Sequence, residues 1–252
     1  MKLGMPILYE YNSIKENILL AKRLNLDFIE LNLNFGYCRS DLENEKIINE
    51  LLKEDIIYTI HFYDEADFGI YDEVVDAYIK LLDKYLSLSK KLNIRLLNVH
   101  LNEGPVVTIS GVKNYIYEKE YNEYIKRLIN NLKKVEELAN KYNIKLVIEN
   151  VKIPSFLEKT YLDLNNQGFN FNYDIGHDYT DKSVLKKLNE ENDFNFLEFH
   201  IHDAQCKKCH LSIGDGEMDL AYYKNLAKDA YVVLEVKSSD DLIKSVEKFK
   251  KI

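Results

Sequence analysis

The sequence predicts a single-domain α/β protein, a (β/α)₈ (TIM) barrel over residues 1–252. Three observations predict it. Short apolar, β-rich runs alternate strictly with longer stretches of helical period. There are eight of each, about 31 residues per unit, the spacing of such barrels. Several runs are apolar on both faces, as strands of a parallel sheet covered by helices must be. A doubly wound open sheet would use fewer strands and a glycine-rich turn after the first, and the first turn here, YEYNSIK, contains no glycine.

The strand-like runs are LGMPIL (3–8), FIELNL (28–33), IIYTIHF (56–62), IRLLNVHL (94–101), KLVIENV (145–151), FNYDIG (171–176), FLEFHIHD (196–203) and YVVLEV (231–236). Helices are predicted over 14–24, with Ser13 as N-cap, and over 43–54. The segment 71–92 sets Tyr78, Leu81, Leu82, Tyr85 and Leu88 on one stripe, and 118–142 does the same with Tyr124, Leu128, Leu132, Val135 and Leu138. Shorter helices are predicted near 155–166, 181–189 and 218–228, and Ser239 is placed to cap 240–251.

Composition narrows the function classes. The 252 residues carry 34 Lys+Arg against 42 Asp+Glu, a net charge of −8, with 46% hydrophobic and 30% charged residues. That is too apolar for disorder, and the acidic balance argues against a general nucleic-acid binder. The first apolar run, Met5 to Leu8, is too short for a signal peptide or a membrane span, so a soluble protein with no membrane partner is expected. Three cysteines without framework spacing fit a reducing, cytoplasmic setting. Nine glycines and three prolines leave little material for a linker.

Barrel enzymes place their chemistry at the carboxyl ends of strands. All six histidines (His61, His100, His177, His200, His202 and His210) fall at predicted strand ends or in the loops just after them. Glu149 follows KLVI, Asp174 follows FNY and Glu235 follows YVVL. A carboxylate in such an apolar run is costly to bury unless it is paired or bound to metal. Glu149, Asp174, His200 and Glu235, from strands 5 to 8, converge in this reading around one divalent ion, Mn²⁺, Mg²⁺, Co²⁺ or Zn²⁺. His61 and His100 complete a second site that shares Glu149. His177 and His210 form a third pair or contact substrate. His202 is expected on the opposite strand face from His200, as a packed support. Cys206-Lys207-Lys208-Cys209-His210 matches a haem-attachment pattern but reads as a polar rim loop, a structural zinc held by Cys206, Cys209 and a nearby His being the competing reading.

NVHLNEG (98–104), VIEN (147–150), YDIGH (173–177), HIHD (200–203), HLSIGDGEMD (210–219) and VLEV (233–236), taken in this order, resemble the xylose-isomerase-like barrels. That family includes ketose epimerases, sugar isomerases, inosose dehydratases and endonuclease IV-type apurinic endonucleases. For the epimerase branch the resemblance implies one catalytic metal on Glu149, Asp174, His200 and Glu235. Glu149 and Glu235 would exchange the substrate proton, and His177 would contact substrate hydroxyls. For the endonuclease branch it implies three zinc ions, on His61, His100 and Glu149, on Asp174, His200 and Glu235, and on His177 and His210. The last ligand of that set is an Asp in relatives, and Lys208 stands in its place, a cation that repels a third Zn²⁺.

The leading expectation is therefore a divalent-metal-dependent isomerase or epimerase of a small sugar or sugar derivative, moving a proton through an enediolate, with no organic cofactor. The alternative is a zinc phosphodiesterase acting on abasic DNA. Only under that alternative is nucleic acid a partner, with Arg39 and Lys113 to grip it. Exposed Tyr- and Leu-bearing helices would permit a homodimer.

Overall fold

Every residue after Lys145 in KLVIEN is buried. A strand of this kind needs cover on both faces, and a closed parallel sheet wrapped in helices supplies it. The computed structural model describes residues 1–252. Its barrel strands are β1 (Lys2–Pro6), β2 (Phe28–Asn32), β3 (Ile57–His61), β4 (Ile94–Leu101), β5 (Lys145–Asn150), β6 (Phe171–Asp174), β7 (Phe196–Ile201) and β8 (Tyr231–Leu234). They close in chain order, β8 returning to β1, with every neighbour parallel. All eight predicted strands are present, and the predicted single barrel is the observed fold.

Side chains alternate across each strand. On β5, Leu146 and Ile148 join the apolar layer between strands and helices, and Val147 and Glu149 face the barrel axis. Helix 121–141 buries Tyr124, Leu128, Leu132, Val135 and Leu138, the stripe read from sequence. Helix 72–89 is rotated relative to expectation. It buries Val75, Leu82, Tyr85, Leu86 and Ser89, and Leu88 is exposed. Ser13 caps helix 14–23 by accepting the Glu16 N–H. At the C-terminal helix the cap is Ser238, one residue before the expected Ser239, and it accepts the Asp241 N–H.

The departures lie in the connections. Extra short helices occupy 36–42, 116–119 and 175–180, and two antiparallel ribbons pair Val106–Ile109 with Val112–Tyr115 and Asp203–Gln205 with Lys208–Leu211. The CxxCH segment is thus the turn and second strand of a ribbon. Cys206 is exposed and Cys209 half-buried there, and neither joins a group of potential metal ligands. The structural-zinc and haem readings of that segment are set aside.

Gly4 marks how tightly the barrel floor is packed. A Cβ there would sit 2.5 Å from the Phe28 ring, which faces it across the β1–β2 ladder. Gly4→Ala should therefore lower unfolding stability by about 1–3 kcal/mol, the usual effect of overpacking. Urea denaturation reads this directly, and an unchanged midpoint at equal slope would contradict it.

Candidate active site

The carboxyl ends of the strands open into a cleft of about 730 Å³, lined mostly by polar side chains with Phe35, Leu101 and Val151 among them. Two register pairs do most of the assembly: His100 lies beside Glu149 across β4–β5, and Asp174 beside His200 across β6–β7. Glu235 follows β8 directly, its N–H bonded to the Ile201 carbonyl. Closure of the barrel therefore brings together residues that stand up to 135 positions apart in the chain, from His100 to Glu235.

The four predicted ligands meet. One donor atom from each of Glu149, Asp174, His200 and Glu235 lies within 4.8 Å of the others. His200 Nδ1 stands 3.1 Å from Glu149 Oε1 and 3.3 Å from Glu235 Oε2. Two ligands about 2.1 Å from one ion sit about 3–3.4 Å apart, a spacing these two contacts match as they also match direct ion pairs. His200 Nδ1 and Glu235 Oε2 are buried and make no well-formed hydrogen bond. Three carboxylates, one imidazole and two orphaned donor atoms fit a divalent cation.

His61, His100 and Glu149 form a second group of the same tightness. His61 Nε2 is 3.2 Å from Glu149 Oε2 and 3.1 Å from His100 Nε2. Glu149 thus turns Oε1 toward His200 and Oε2 toward His61, the posture of a carboxylate shared by two sites. The amides of Asn98 and Asn172 both donate to Oε2 and fix that posture.

Of the remaining predicted residues, His177 and His210 line the cleft with ring centroids 5.2 Å apart. His177 lies in the first turn of helix 175–180, where Asp174 is the N-cap and accepts the His177 N–H at 2.7 Å. His210 sits on the second ribbon in the left-handed region, φ 56°, and is held over the Glu235 carbonyl at 3.2 Å. His202 corrects the sequence reading. Residues two apart on a strand share a face, and its ring turns into the site against Asp174 and His210.

Electrostatics follow from so many buried carboxylates. Burial alone would raise the Glu149 and Glu235 carboxyls. For Glu149 the attraction of His200 outweighs it, and for Glu235 that of Lys237 does, holding both well below the usual range. Burial opposes the Asp174 carboxylate too, but His202 and His177 keep it low. Burial would lower His61, and Glu149 instead pushes it up to about 10. In His200, Glu149 and Glu30 likewise override burial and raise it well above an ordinary imidazole. His210, where burial wins, falls to about 4. The cluster of carboxylates draws positive charge, and His61 and His200 supply it.

Several contributors escaped the sequence reading. Glu30 accepts from His200 Nε2 at 3.3 Å, which leaves Nδ1 free to face Glu149 and Glu235. Lys237 donates to Glu235 Oε1 at 2.9 Å and turns Oε2 inward. Asn150 clamps the Asp174 backbone on both its N–H and its carbonyl. Glu198 is wholly buried, and both its oxygens lack partners. Burial first, then Glu30, raises its carboxyl well above the usual range. Glu30 and Glu198 carry the same signal as Glu149, an acid inside an apolar run, and that criterion finds them once applied to every strand.

Residues 18–252 match the family described as xylose isomerase-like TIM barrel, and the chain belongs to it. No curated protein matches the sequence. Among solved structures it is similar to a D-tagatose 3-epimerase-like protein, with TM-score 0.77 and 20% identity, covering 100% of this chain and 96% of that one. It is similar to 3-keto-D-glucoside 4-epimerase from E. coli in its apo form, with TM-score 0.76 and 13% identity over the full length of both. A third is the IOLI protein with a binding zinc atom, with TM-score 0.72 and 14% identity over 99% and 96%. At these identities the likeness is one of fold. No helix of the chain is long and apolar enough to cross a membrane.

Isothermal titration of metal-free protein with Co²⁺ should show two bound ions. His61→Ala combined with His100→Ala should leave one, and Glu149→Ala should abolish both. Two ions retained in the double variant would show that those histidines hold none.

Proposed function

We propose that the protein is a divalent-metal-dependent isomerase or epimerase of a small, hydroxyl-rich sugar or sugar derivative. The observation that carries this reading is the pair Glu149 and Glu235. Both carboxylates are held ionised, and they flank His200 Nδ1 at 3.1 and 3.3 Å. Two ionised carboxylates bordering one cleft supply the pair of bases that proton exchange at a single carbon requires. The two epimerases with similar folds support the same class. The free state of all three cysteines fits a cytoplasmic setting.

The bound ion, held by Glu149, Asp174, His200 and Glu235, would supply Lewis acidity toward a carbonyl and its adjacent hydroxyl. Glu235, with Oε1 steadied by Lys237, removes or returns the proton on one face of the substrate. Glu149 serves the opposite face, with Oε2 anchored by Asn98 and Asn172. The substrate passes through an enediolate between the two transfers. His177 has its N–H taken by Asp174, and its ring faces the cleft to hydrogen-bond an oxygen that gains charge.

Cleavage of abasic DNA is the weaker reading. Asp64, Glu65, Asp67 and Glu103 line the cleft, and both lysines there, Lys152 and Lys237, already face carboxylates. A polyanion would meet repulsion along that wall. Lys208 lies on the ribbon beside His210, where a third zinc would need an acid.

Glu235→Gln should keep the metal-induced rise in melting temperature and cut turnover of a responsive ketose by about 10²–10⁴, the worth of a general acid–base group. The unaltered enzyme should place solvent deuterium at the epimerised carbon. Product free of deuterium would refute proton exchange with these carboxylates.

A further inference from the structure

His202 lies just past β7, fully buried, with its ring stacked on His210 at 4.1 Å between centroids. The His210 N–H donates to its Nδ1 at 2.8 Å. That nitrogen therefore carries no proton, and Nε2 does. Nε2 faces Asp174 at 3.1 Å from Oδ1 and 3.2 Å from Oδ2. Asp174 Oδ1 also accepts the His177 N–H. His202 Nε2 thus bridges the two oxygens and the His177 N–H adds to Oδ1, so Oδ2, which also faces His177 Nε2 at 3.8 Å, keeps a lone pair for the group formed with Glu149, His200 and Glu235.

The surroundings leave the ring little choice of position. A Cβ at residue 176 would fall 1.9 Å from His202 Cε1, so only glycine there admits the ring. Asn150 pins the backbone of Asp174 on both sides, so the turn of its carboxylate is the freedom that remains, and His202 removes it.

We propose that His202 is a positioning residue that holds Asp174 in its ion-binding orientation and ties the ribbon bearing His210 to that carboxylate. This rests on reading Asp174 as a metal ligand. Hydrogen-bond donors behind a ligating group typically change metal affinity 10–100-fold when lost. Gly176 belongs to the same device although it offers no donor.

Two substitutions separate the ring's two bonds. Asn in place of His202 keeps an acceptor near the Nδ1 position for the His210 N–H but cannot reach Asp174. Gln carries an N–H₂ near the Nε2 position and keeps that reach. In Co²⁺ titrations of metal-free protein, followed by calorimetry and by the visible Co²⁺ absorption band, His202→Asn should bind the ion of the Asp174 site about 10–100-fold more weakly. His202→Gln should stay within about threefold of the parent, and Gly176→Ala, which displaces the ring, should match His202→Asn. Melting curves of the metal-free variants establish that each is folded, and Gly176→Ala carries the comparison should His202→Asn not fold. Parental affinity in His202→Asn or in Gly176→Ala, or a Gln variant as weak as the Asn variant, would overturn the role. Failure of the unaltered protein to bind Co²⁺ would overturn the ligand reading of Asp174 itself, and this role with it.

Discussion

The organising constraint of this protein is the burial of carboxylates at the mouth of its barrel. Glu149, Asp174 and Glu235 come from three different strands and share one small volume with His200. Like charges so close and so dry are held together only by positive charge among them. In the chain itself that charge comes from imidazoles raised above their ordinary range and from Lys237. The proposed divalent ion would neutralise the same group without a proton on each histidine.

Around that group lies a shell of fixed polar side chains. Asn98 and Asn172 hold one oxygen of Glu149, Glu30 sets which nitrogen of His200 faces inward, and Asn150 locks the backbone at Asp174. None sits on a loop tip. All belong to barrel strands whose outward neighbours, such as Leu146 and Ile148, pack under the helices. The apolar layer thus supplies rigidity to the site on the other face of the same strands. The local strain at His210, a non-glycine residue with φ of 56°, falls where a ring must reach over Glu235.

Most of the architecture was legible because strand and helix periods are strong signals in a parallel barrel. The quartet that meets at the barrel mouth was legible for a related reason, since an acid at the end of a largely apolar strand is costly to bury without a partner. What was not legible depends on spatial neighbours. Asn98 and Asn172 look like ordinary strand-end amides until the register sets them against Glu149. The ribbon at 203–211 is polar and its pairing rests on backbone bonds, whereas VVTI and VKNY around Ser110-Gly111 do carry a hairpin signal that the count of eight barrel strands passes over. His202 was misplaced by counting its face wrongly, although period-two alternation puts it with His200. Leu88 was misplaced because the helix stripe is wide enough for a rotation of one residue.

Anomalous diffraction from a crystal soaked in Mn²⁺ addresses the central claim most directly. The account requires a strong peak bounded by Glu149, Asp174, His200 and Glu235 at bonding distance from all four. Those side chains paired with lysines, with no peak among them, would contradict it.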